Sequence, residues 1–378
     1  MKDSTDLMTA IPELSGEQQA AFDRVSEFLF ARATGQLREQ QYMTIQGLAG
    51  VGKTFLATKI AQANPGALIC AYTGKAANVL RERAIKNGVS AQISTIHSAI
   101  YFFKGMHIDE VGKAQPVFTE RYAGGGGLGH KIMLLDESSM IGTRIADDIL
   151  DTGATIIACG DPGQLPPVAD EQFFSRTDIR LTEIHRQAWE SPIIRQAHNI
   201  RNTGYYKPDG YDFQVCGWIR DDTIVAADAM LCWKNKTRRQ LNARRRNAVS
   251  LPPKKLLAGE PVVCLRNSYE YGIWNGAVYN LAEDYEPGNP SLHIIVNGTK
   301  KFIHSPTIED LDSEFETQQY DDFMAPFAIG YALTVHKFQG SEAPRVLIFD
   351  EYSREEGRSQ WLYTAVTRAA QSVIVVQS

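Results

Sequence analysis

One run, Met43-Thr44-Ile45-Gln46-Gly47-Leu48-Ala49-Gly50-Val51-Gly52-Lys53-Thr54, constrains the fold more than any other part of the chain. A short β-prone segment ends at Gly47, the pattern Gly-x-x-x-x-Gly-Lys-Thr follows, and an apolar helical pattern begins at Phe55. This is the Walker A phosphate loop in its strand–loop–helix setting. Gly47, Gly50 and Gly52 let the backbone turn tightly and bring amide N–H groups close to phosphates. The helix that follows points its positive end at the same place. Lys53 is expected to reach the β- and γ-phosphates, and the Thr54 hydroxyl to hold Mg²⁺. A chance glycine-rich turn is the plainer alternative, and the flanking strand and helix disfavour it.

Strands alternate with helices around this loop, which predicts the α/β class with a parallel sheet. A helix is expected from Ser15, with Phe22, Val25 and Phe28 at helical spacing, and a first strand at 43–46. The helix after the loop stops at Asn64-Pro65-Gly66. Further strands are read at 67–71, 131–136, 154–159, 181–186, 345–349 and 372–376, with helices at 191–201 and 236–247. Residues 102–130 break the rhythm and end in Gly124-Gly125-Gly126-Gly127, which reads equally as a hairpin excursion or a surface loop. Residues 202–218, rich in Gly, Tyr, Pro and Asp, read as a connector. From 251 to 327, short strands and the turn signals Asn275-Gly276 and Asn297-Gly298 predict a small all-β insertion. Phe327–Thr334 is expected to return to the parallel sheet.

The length of 378 residues predicts two domains. Hydrophobic content of 43% is enough for a full core, and charged content of 22% excludes a disordered or fibrous chain. A net charge of -5 does not advertise binding to a polyanion, but a groove needs only local positive charge. The five cysteines are scattered without a C-x-x-C, which points to a reducing compartment and no structural zinc. No signal core and no uncharged membrane-length stretch are visible, so a soluble protein of a bacterial or host cytoplasm is expected, with no membrane partner.

Other stretches carry chemistry. Ile132-Met133-Leu134-Leu135-Asp136-Glu137 reads as a buried strand that delivers two carboxylates to its C-terminal edge. Beside a phosphate loop, Asp136 can bind Mg²⁺ and Glu137 can polarise the attacking water. In Gly160-Asp161-Pro162-Gly163-Gln164-Leu165-Pro166-Pro167, Gln164 is a neutral donor suited to a γ-phosphate; a plain turn is the alternative. Arg186 and Arg368 follow partly apolar runs and could stabilise charge on a transferring phosphoryl group. Taken alone, either is an ordinary salt-bridged arginine. The run Lys234, Lys236, Arg238, Arg239, Arg244, Arg245 and Arg246 stands out from a net-acidic background and points to a polyanion, although such runs are usually solvated faces. Trp233, Phe102, Phe103, Tyr271 and Trp274 could stack on bases, although each taken singly reads more readily as a core or partly buried surface aromatic.

The order of these elements resembles the superfamily 1 helicases of the 5′-to-3′ branch, the RecD-like and phage Dda-like group, over roughly Ser15 to Arg368. Leu14-Ser15-Gly16-Glu17-Gln18 looks like the Q-type motif, Gly47–Thr54 like motif I and Thr73-Gly74-Lys75-Ala76-Ala77 like motif Ia. Thr95-Ile96-His97-Ser98 is similar to the next DNA-side element. Asp136-Glu137 looks like motif II, 160–166 like motif III, and Arg186 falls at the motif IV arginine. Leu333-Thr334-Val335-His336-Lys337-Phe338-Gln339-Gly340-Ser341-Glu342 looks like motif V, and Tyr363-Thr364-Ala365-Val366-Thr367-Arg368-Ala369 like motif VI.

The resemblance implies two RecA-like domains, 1–180 and 181–378. It places a strand-separating pin at 102–130, with Phe102, Phe103 or Phe118 as wedge, and an SH3-like insertion at about 251–327. It implies ATP and Mg²⁺ between the domains. Gln18 would read adenine and Glu342 the ribose, while Lys53, Thr54, Asp136, Glu137 and Gln164 would face Arg186 and Arg368 across the cleft. Thr73, Lys75, Thr95, His97, Lys236, Thr334 and His336 would hold single-stranded DNA, and Asn235 and Asn242 belong to the same DNA-side segment. The implied partners are single-stranded and forked or tailed duplex DNA, with single-stranded DNA-binding or replication proteins as further ones. Two rivals remain at the level of sequence: an RNA helicase of the same fold, and an ATPase that loads or remodels nucleoprotein complexes without unwinding.

Overall fold

Three buried runs build the first sheet. The segments Tyr42–Gly47 (β1), Ile132–Leu135 (β6) and Thr155–Gly160 (β7) are buried almost throughout, as strands covered on both faces are. The computed structural model describes residues 13–86, 88–89, 91–108, 114–120, 131–167, 170–184, 190–266, 268, 271–296, 298–304, 306–311 and 326–377. With Leu68–Ala71 (β2), Gln92–Thr95 (β3) and Ile179–Leu181 (β8), these strands form a parallel sheet of order β3-β2-β6-β7-β1-β8.

Helix α1, Gly16–Ala33, starts at a capping box: Ser15 Oγ accepts from the Gln18 N–H, and Gln18 Oε1 accepts from the Ser15 N–H. It buries Ala21, Val25, Phe28 and Leu29 at helical spacing. Helix α2 (Lys53–Ala63) leaves the phosphate loop, and α3 (Gly74–Lys86) leaves β2. Their apolar faces and that of α1 share one core with Ile45 and Leu134, while Ile96, Ile149 and Phe174 fill the opposite face. The short α4 (Ile96–Ile100) runs into an antiparallel hairpin, β4 (Tyr101–Ile108) with β5 (Ala114–Glu120). The excursion expected at 102–130 is therefore a hairpin in its first part; its glycine run, and the side chains of Phe102, Phe103 and Phe118, lie outside what is described. Thr143–Asp151 (α5) precedes β7.

The second domain opens with α6 (Pro192–Thr203), which carries Pro at its first turn and ends at Gly204 in the left-handed region, the favoured punctuation at each end. Phe213–Cys216 (β9), Asp221–Ala226 (α7), Ala229–Cys232 (β10) and Asn235–Ala248 (α8) follow. The connector expected at 202–218 thus holds an edge strand. Only four residues long and flanked by turn formers, β9 gives no compositional signal. The β module comprises Pro261–Cys264 (β11), Val278–Leu281 (β12), Ser291–Val296 (β13), Thr299–His304 (β14), Thr307–Ile308 (β15) and Pro326–Ile329 (β16), in the order β14-β13-β12-β11-β16-β15. The chain then returns to the parallel sheet through Ala332–Thr334 (β17), α9 (Val335–Phe338), Ala343–Asp350 (β18), α10 (Arg358–Val366) and Ala369–Gln377 (β19), in the order β17-β10-β18-β19-β9.

Two expected boundaries move. Phe327–Thr334 is two strands in two sheets, because the chain turns at Gly330, where an added Cβ would lie 3.2 Å from the Pro261 carbonyl. The expected strand at 181–186 is the three residues of β8, which pair with β1. Just after β8, the Thr182 and Glu183 N–H groups donate to Glu17 at the start of α1, at 2.9 and 2.7 Å.

Candidate nucleotide cleft and nucleic-acid face

The phosphate loop has the geometry its glycines require. A Cβ on Gly47 would lie 2.7 Å from Val51 Cγ2 and 2.9 Å from the Leu181 carbonyl oxygen, and Gly50 and Gly52 take φ values of 88° and 76°. The Lys53 ammonium donates to the Gly47 and Leu48 carbonyls at 2.6 and 3.0 Å and lies 3.8 Å from Asp161. These carbonyls and Asp161 hold it at the mouth of the loop, at the N-terminus of α2, where an anion gains from the exposed amides.

The parallel register sets β6 beside β2 and β7, so Asp136 arrives at the sheet edge next to Thr54, whose hydroxyl donates to it at 3.2 Å. Burial and the neighbouring Glu137 push the Asp136 carboxyl up to about 6, against the pull of Lys53. A hydroxyl and a buried carboxylate short of positive charge form the hard-oxygen set that suits Mg²⁺, which takes one or two protein ligands and fills the rest with water and phosphate. Glu137 sits at φ 55°, ψ 40°, a left-handed conformation uncommon for a residue with a Cβ. That turn aims its side chain at the second domain, where Arg368 Nη1 lies 3.7 Å from Oε1. Arg368 is itself buried and donates to the Thr364 carbonyl and to Thr367 Oγ1. Gln164 is buried as well, and its Oε1 has no hydrogen-bond partner among the described residues.

Sequence reasoning missed three residues that tie the domains together here. The Tyr363 hydroxyl, at the core of α10, donates to Asp161 Oδ2 at 2.7 Å and accepts from the Ala49 N–H at 2.6 Å. His198 of α6 lies with Nε2 3.0 Å from the Ala49 carbonyl. One residue of the phosphate loop, Ala49, is thus held at both its N–H and its carbonyl by the second domain. Asp161 and Tyr363 stood in recognisable motifs, and their signal was a buried polar group inside apolar runs; His198 gave none. Beside this contact is a cavity of about 440 Å³, lined by Gly47, Val51, Pro162, Thr182, His198 and Arg201 among others. This is room for a ligand of nucleotide size.

Several of the expected site residues have partners within the protein. The Gln18 amide is engaged within the protein: Oε1 belongs to the capping box, and Nε2 donates to the Val51 carbonyl at 3.3 Å. These bonds brace the phosphate loop from the start of α1. The Glu342 carboxylate forms a two-oxygen ion pair with Arg83 of α3 at 2.8–2.9 Å. Two members of the basic run, Arg238 and Arg246, are internal, and the others lie at or near the surface. Arg238 is buried on Glu309 and Asp310, Arg246 is buried on Glu260, Arg244 pairs with Asp221, and Arg239 pairs with Glu309. Asn242 is buried too, bonded to the Ile329 carbonyl and to both polar groups of the Ala332 backbone, where it pins the passage from β16 to β17. Lys236 is exposed and makes no ion pair among the described residues. Arg186 and the Lys75 side chain lie outside what is described.

The expected DNA-side residues of the first domain do converge. Thr73, Thr95 and His97 line a cavity of about 230 Å³ at the N-terminal ends of α3 and α4, closed by Trp274 and Asn275 of the β module. Burial holds His97 below the ordinary imidazole range, against Asp148, and does the same to His336, so both are neutral at pH 7. Thr334 and His336 lie at the β17–α9 junction. There Lys337 Nζ reaches Asn275 Oδ1 at 3.4 Å, which links the motif V segment to the same cavity.

Known proteins align with this arrangement from both ends. The family described as an AAA domain matches residues 30–210, and that described as a UvrD-like helicase C-terminal domain matches residues 330–376. The ATP-dependent RecD2 DNA helicase of Deinococcus radiodurans is 26% identical over 90% of this chain and 47% of its own length, so the chain spans about half of that relative. Two solved structures superpose along nearly the whole chain. Bacteroides Pif1 bound to single-stranded DNA has a TM-score of 0.56 at 18% identity, covering 96% of this chain and 92% of that one. Bacteroides Pif1 with ADP-AlF3 and single-stranded DNA has a TM-score of 0.56 at 20% identity, with the same coverage. The chain thus shares the fold of these Pif1 structures and is similar in sequence to the RecD2 helicase. Among the described residues, no helix is long and apolar enough to cross a membrane.

Proposed function

We propose that the protein is an ATP-dependent DNA helicase that moves 5′ to 3′ along single-stranded DNA and separates the duplex of a fork or tailed substrate. The observation that carries this reading is the meeting of Glu137 with Arg368 across the cleft at 3.7 Å, beside the Thr54–Asp136 pair. A hydrolytic carboxylate from one domain faces a permanent cation from the other, so the complete site exists only when the domains are together. Glu137 orients the attacking water and accepts its proton. Lys53 and Arg368 stabilise the charge that develops on the transferred phosphoryl group, and Gln164 senses its oxygens. Mg²⁺, held by Thr54 and Asp136, neutralises charge on the bridging phosphate oxygens when bound. Arg186 is a second candidate from the far side of the cleft.

Closure and hydrolysis then alternate. A difference in grip on the strand between the two states converts each cycle into a step. Thr73, Lys75, Thr95, His97, Lys236, Thr334 and His336 form the proposed track, the β4–β5 hairpin the pin, and the β module an SH3-like accessory. The RecD2 relative and the DNA-bound Pif1 structures support this assignment by likeness of fold. The deciding experiment compares unwinding of a 5′-tailed duplex with a 3′-tailed one and with a 5′ RNA tail. Strand separation on the 5′ DNA tail alone is the expected result. ATP hydrolysis stimulated by DNA without separation would replace the reading with a loading or remodelling ATPase, and activity on the RNA tail would make it an RNA helicase.

A further inference from the structure

The aromatic residues Tyr271 and Trp274 of the β module take no part in the nucleotide cleft. Trp274, in Gly272-Ile273-Trp274-Asn275-Gly276, is carried on a turn whose far end is fixed by Gly276 at φ 79°. Its indole lies directly on the first turn of α3: a Cβ added to Gly74 would fall 2.3 Å from Trp274 Cδ1. The β module therefore touches the first domain through this ring, at a point where only glycine fits. On one side of the indole is the cavity of about 230 Å³ with Thr73, Thr95 and His97. On the other is a larger one of about 430 Å³, lined by Asn78, Arg81, Ser94, Thr95, Trp274 and Tyr279 among others. Trp274, Gly74 and Thr95 are walls of both.

The larger chamber has the chemistry of a base site. It offers aromatic faces together with amide, hydroxyl and guanidinium groups, as an unstacked base requires. None of its lining residues is acidic, although the chain as a whole carries -5. Its cation is held in place, since Arg81 donates to Asn78 Oδ1 and to the Ile93 carbonyl at 2.8 Å. The Tyr279 hydroxyl is fixed by accepting from the Trp274 backbone N–H at 3.0 Å.

We propose that Trp274 and the α3–β3 edge form a base-binding chamber, in which one nucleobase of single-stranded DNA stacks on the indole while its backbone passes Thr73, Thr95 and His97. This rests on the DNA-translocating reading above and adds a residue and a contact that the reading does not contain. Stacking of this kind is indifferent to sequence and contributes little to the salt dependence of binding, which counts phosphate contacts.

The test uses the full chain and oligothymidylate carrying a single 2-aminopurine or a single abasic site, moved along the strand. One position is expected to show quenched 2-aminopurine fluorescence, and an abasic site there is expected to weaken binding. Trp274→Ala should remove the quenching and weaken binding about tenfold, with an unchanged slope of log K against log salt, while Trp274→Phe keeps most of the affinity. Gly74→Ala, which pushes the ring aside without deleting it, should reproduce the loss. Melting and nucleotide binding of each variant establish that it is folded. If the wild type binds single-stranded DNA but the abasic scan is flat and Trp274→Ala binds as tightly, the chamber is refuted and the helicase reading stands. If the wild type binds no single-stranded DNA, the helicase reading fails and the chamber fails with it.

Discussion

Tyr363→Phe isolates the grip of the second domain on the phosphate loop. The substitution removes one oxygen and leaves the buried ring in place, so no cavity forms. It deletes a hydrogen bond to a buried carboxylate, Asp161, and one from the Ala49 N–H. Burial, with Asp161 beside it, raises the phenol well above its ordinary value, so the group is a donor at any working pH. A hydrogen bond to a charged group contributes about 1.5–3 kcal/mol and a neutral one about 0.5–1.5 kcal/mol, so about 2–4 kcal/mol of domain contact is lost. Asp161 Oδ2 keeps only the Lys53 ammonium at 3.8 Å. If the contact belongs to the hydrolytic state, 2 kcal/mol alone reduces its population roughly 30-fold. Steady-state ATP hydrolysis at saturating DNA, well below the melting temperature, is the assay. We expect turnover to fall about 30-fold or more, with a melting temperature lower by roughly 4–8 °C for the same 2 kcal/mol. A variant that melts early but turns over within twofold of wild type would refute the argument, because the contact would then be structural only.

Two further outcomes are expected. Without a divalent ion, the Asp136 carboxyl titrates near 6 instead of its ordinary 3.8, so folding favours its protonated form; that contribution, about 3 kcal/mol, is fully present below pH 3.8 and lost as pH rises through 6. Mg²⁺ needs the carboxylate, so its affinity measured by calorimetry should fall about tenfold between pH 7 and pH 5, with proton release, and Asp136→Asn should abolish that pH dependence. The Arg83–Glu342 pair is nearly half exposed on both sides, so each single substitution to Gln should change stability by less than about 1 kcal/mol. Glu342→Gln should also leave the ATP KM close to that of Arg83→Gln; a KM raised only by Glu342→Gln would place Glu342 at the ribose.

The phosphate loop, the Asp136-Glu137 strand end and the alternation around them were legible because each rests on local rules: glycine conformations, apolar runs in buried strands, and helix stops at Asn64-Pro65. What was not legible depends on partners distant in sequence. The basic run on α8 looked like a polyanion surface because its acidic partners, Glu260, Glu309 and Asp310, arrive from the β module. Gln18 and Glu342 were read by likeness of motif, and no local pattern reveals that Val51 and Arg83 meet their side chains. The contact of Tyr363 and His198 with Ala49 spans two domains and leaves only buried polar groups as a trace. The end of the β module was misplaced for a different reason: residues 327–333 are apolar except for Gly330, so composition cannot reveal that the chain changes sheets there.

The anchoring of that β module has a mechanical consequence. It leaves the second domain after α8 and rejoins it at β17. Both attachment points are cross-braced, by the buried Arg246–Glu260 pair and by Asn242 on Ile329 and Ala332. A module clamped at both roots has no hinge of its own there, so it is expected to travel with the second domain as a rigid arm. Any movement of the second domain that changes the distance from Arg368 to Glu137 is therefore expected to shift the Trp274 tip against Gly74 as well. The nucleotide cleft and the ring on α3 become two ends of one lever, and the β module is its length.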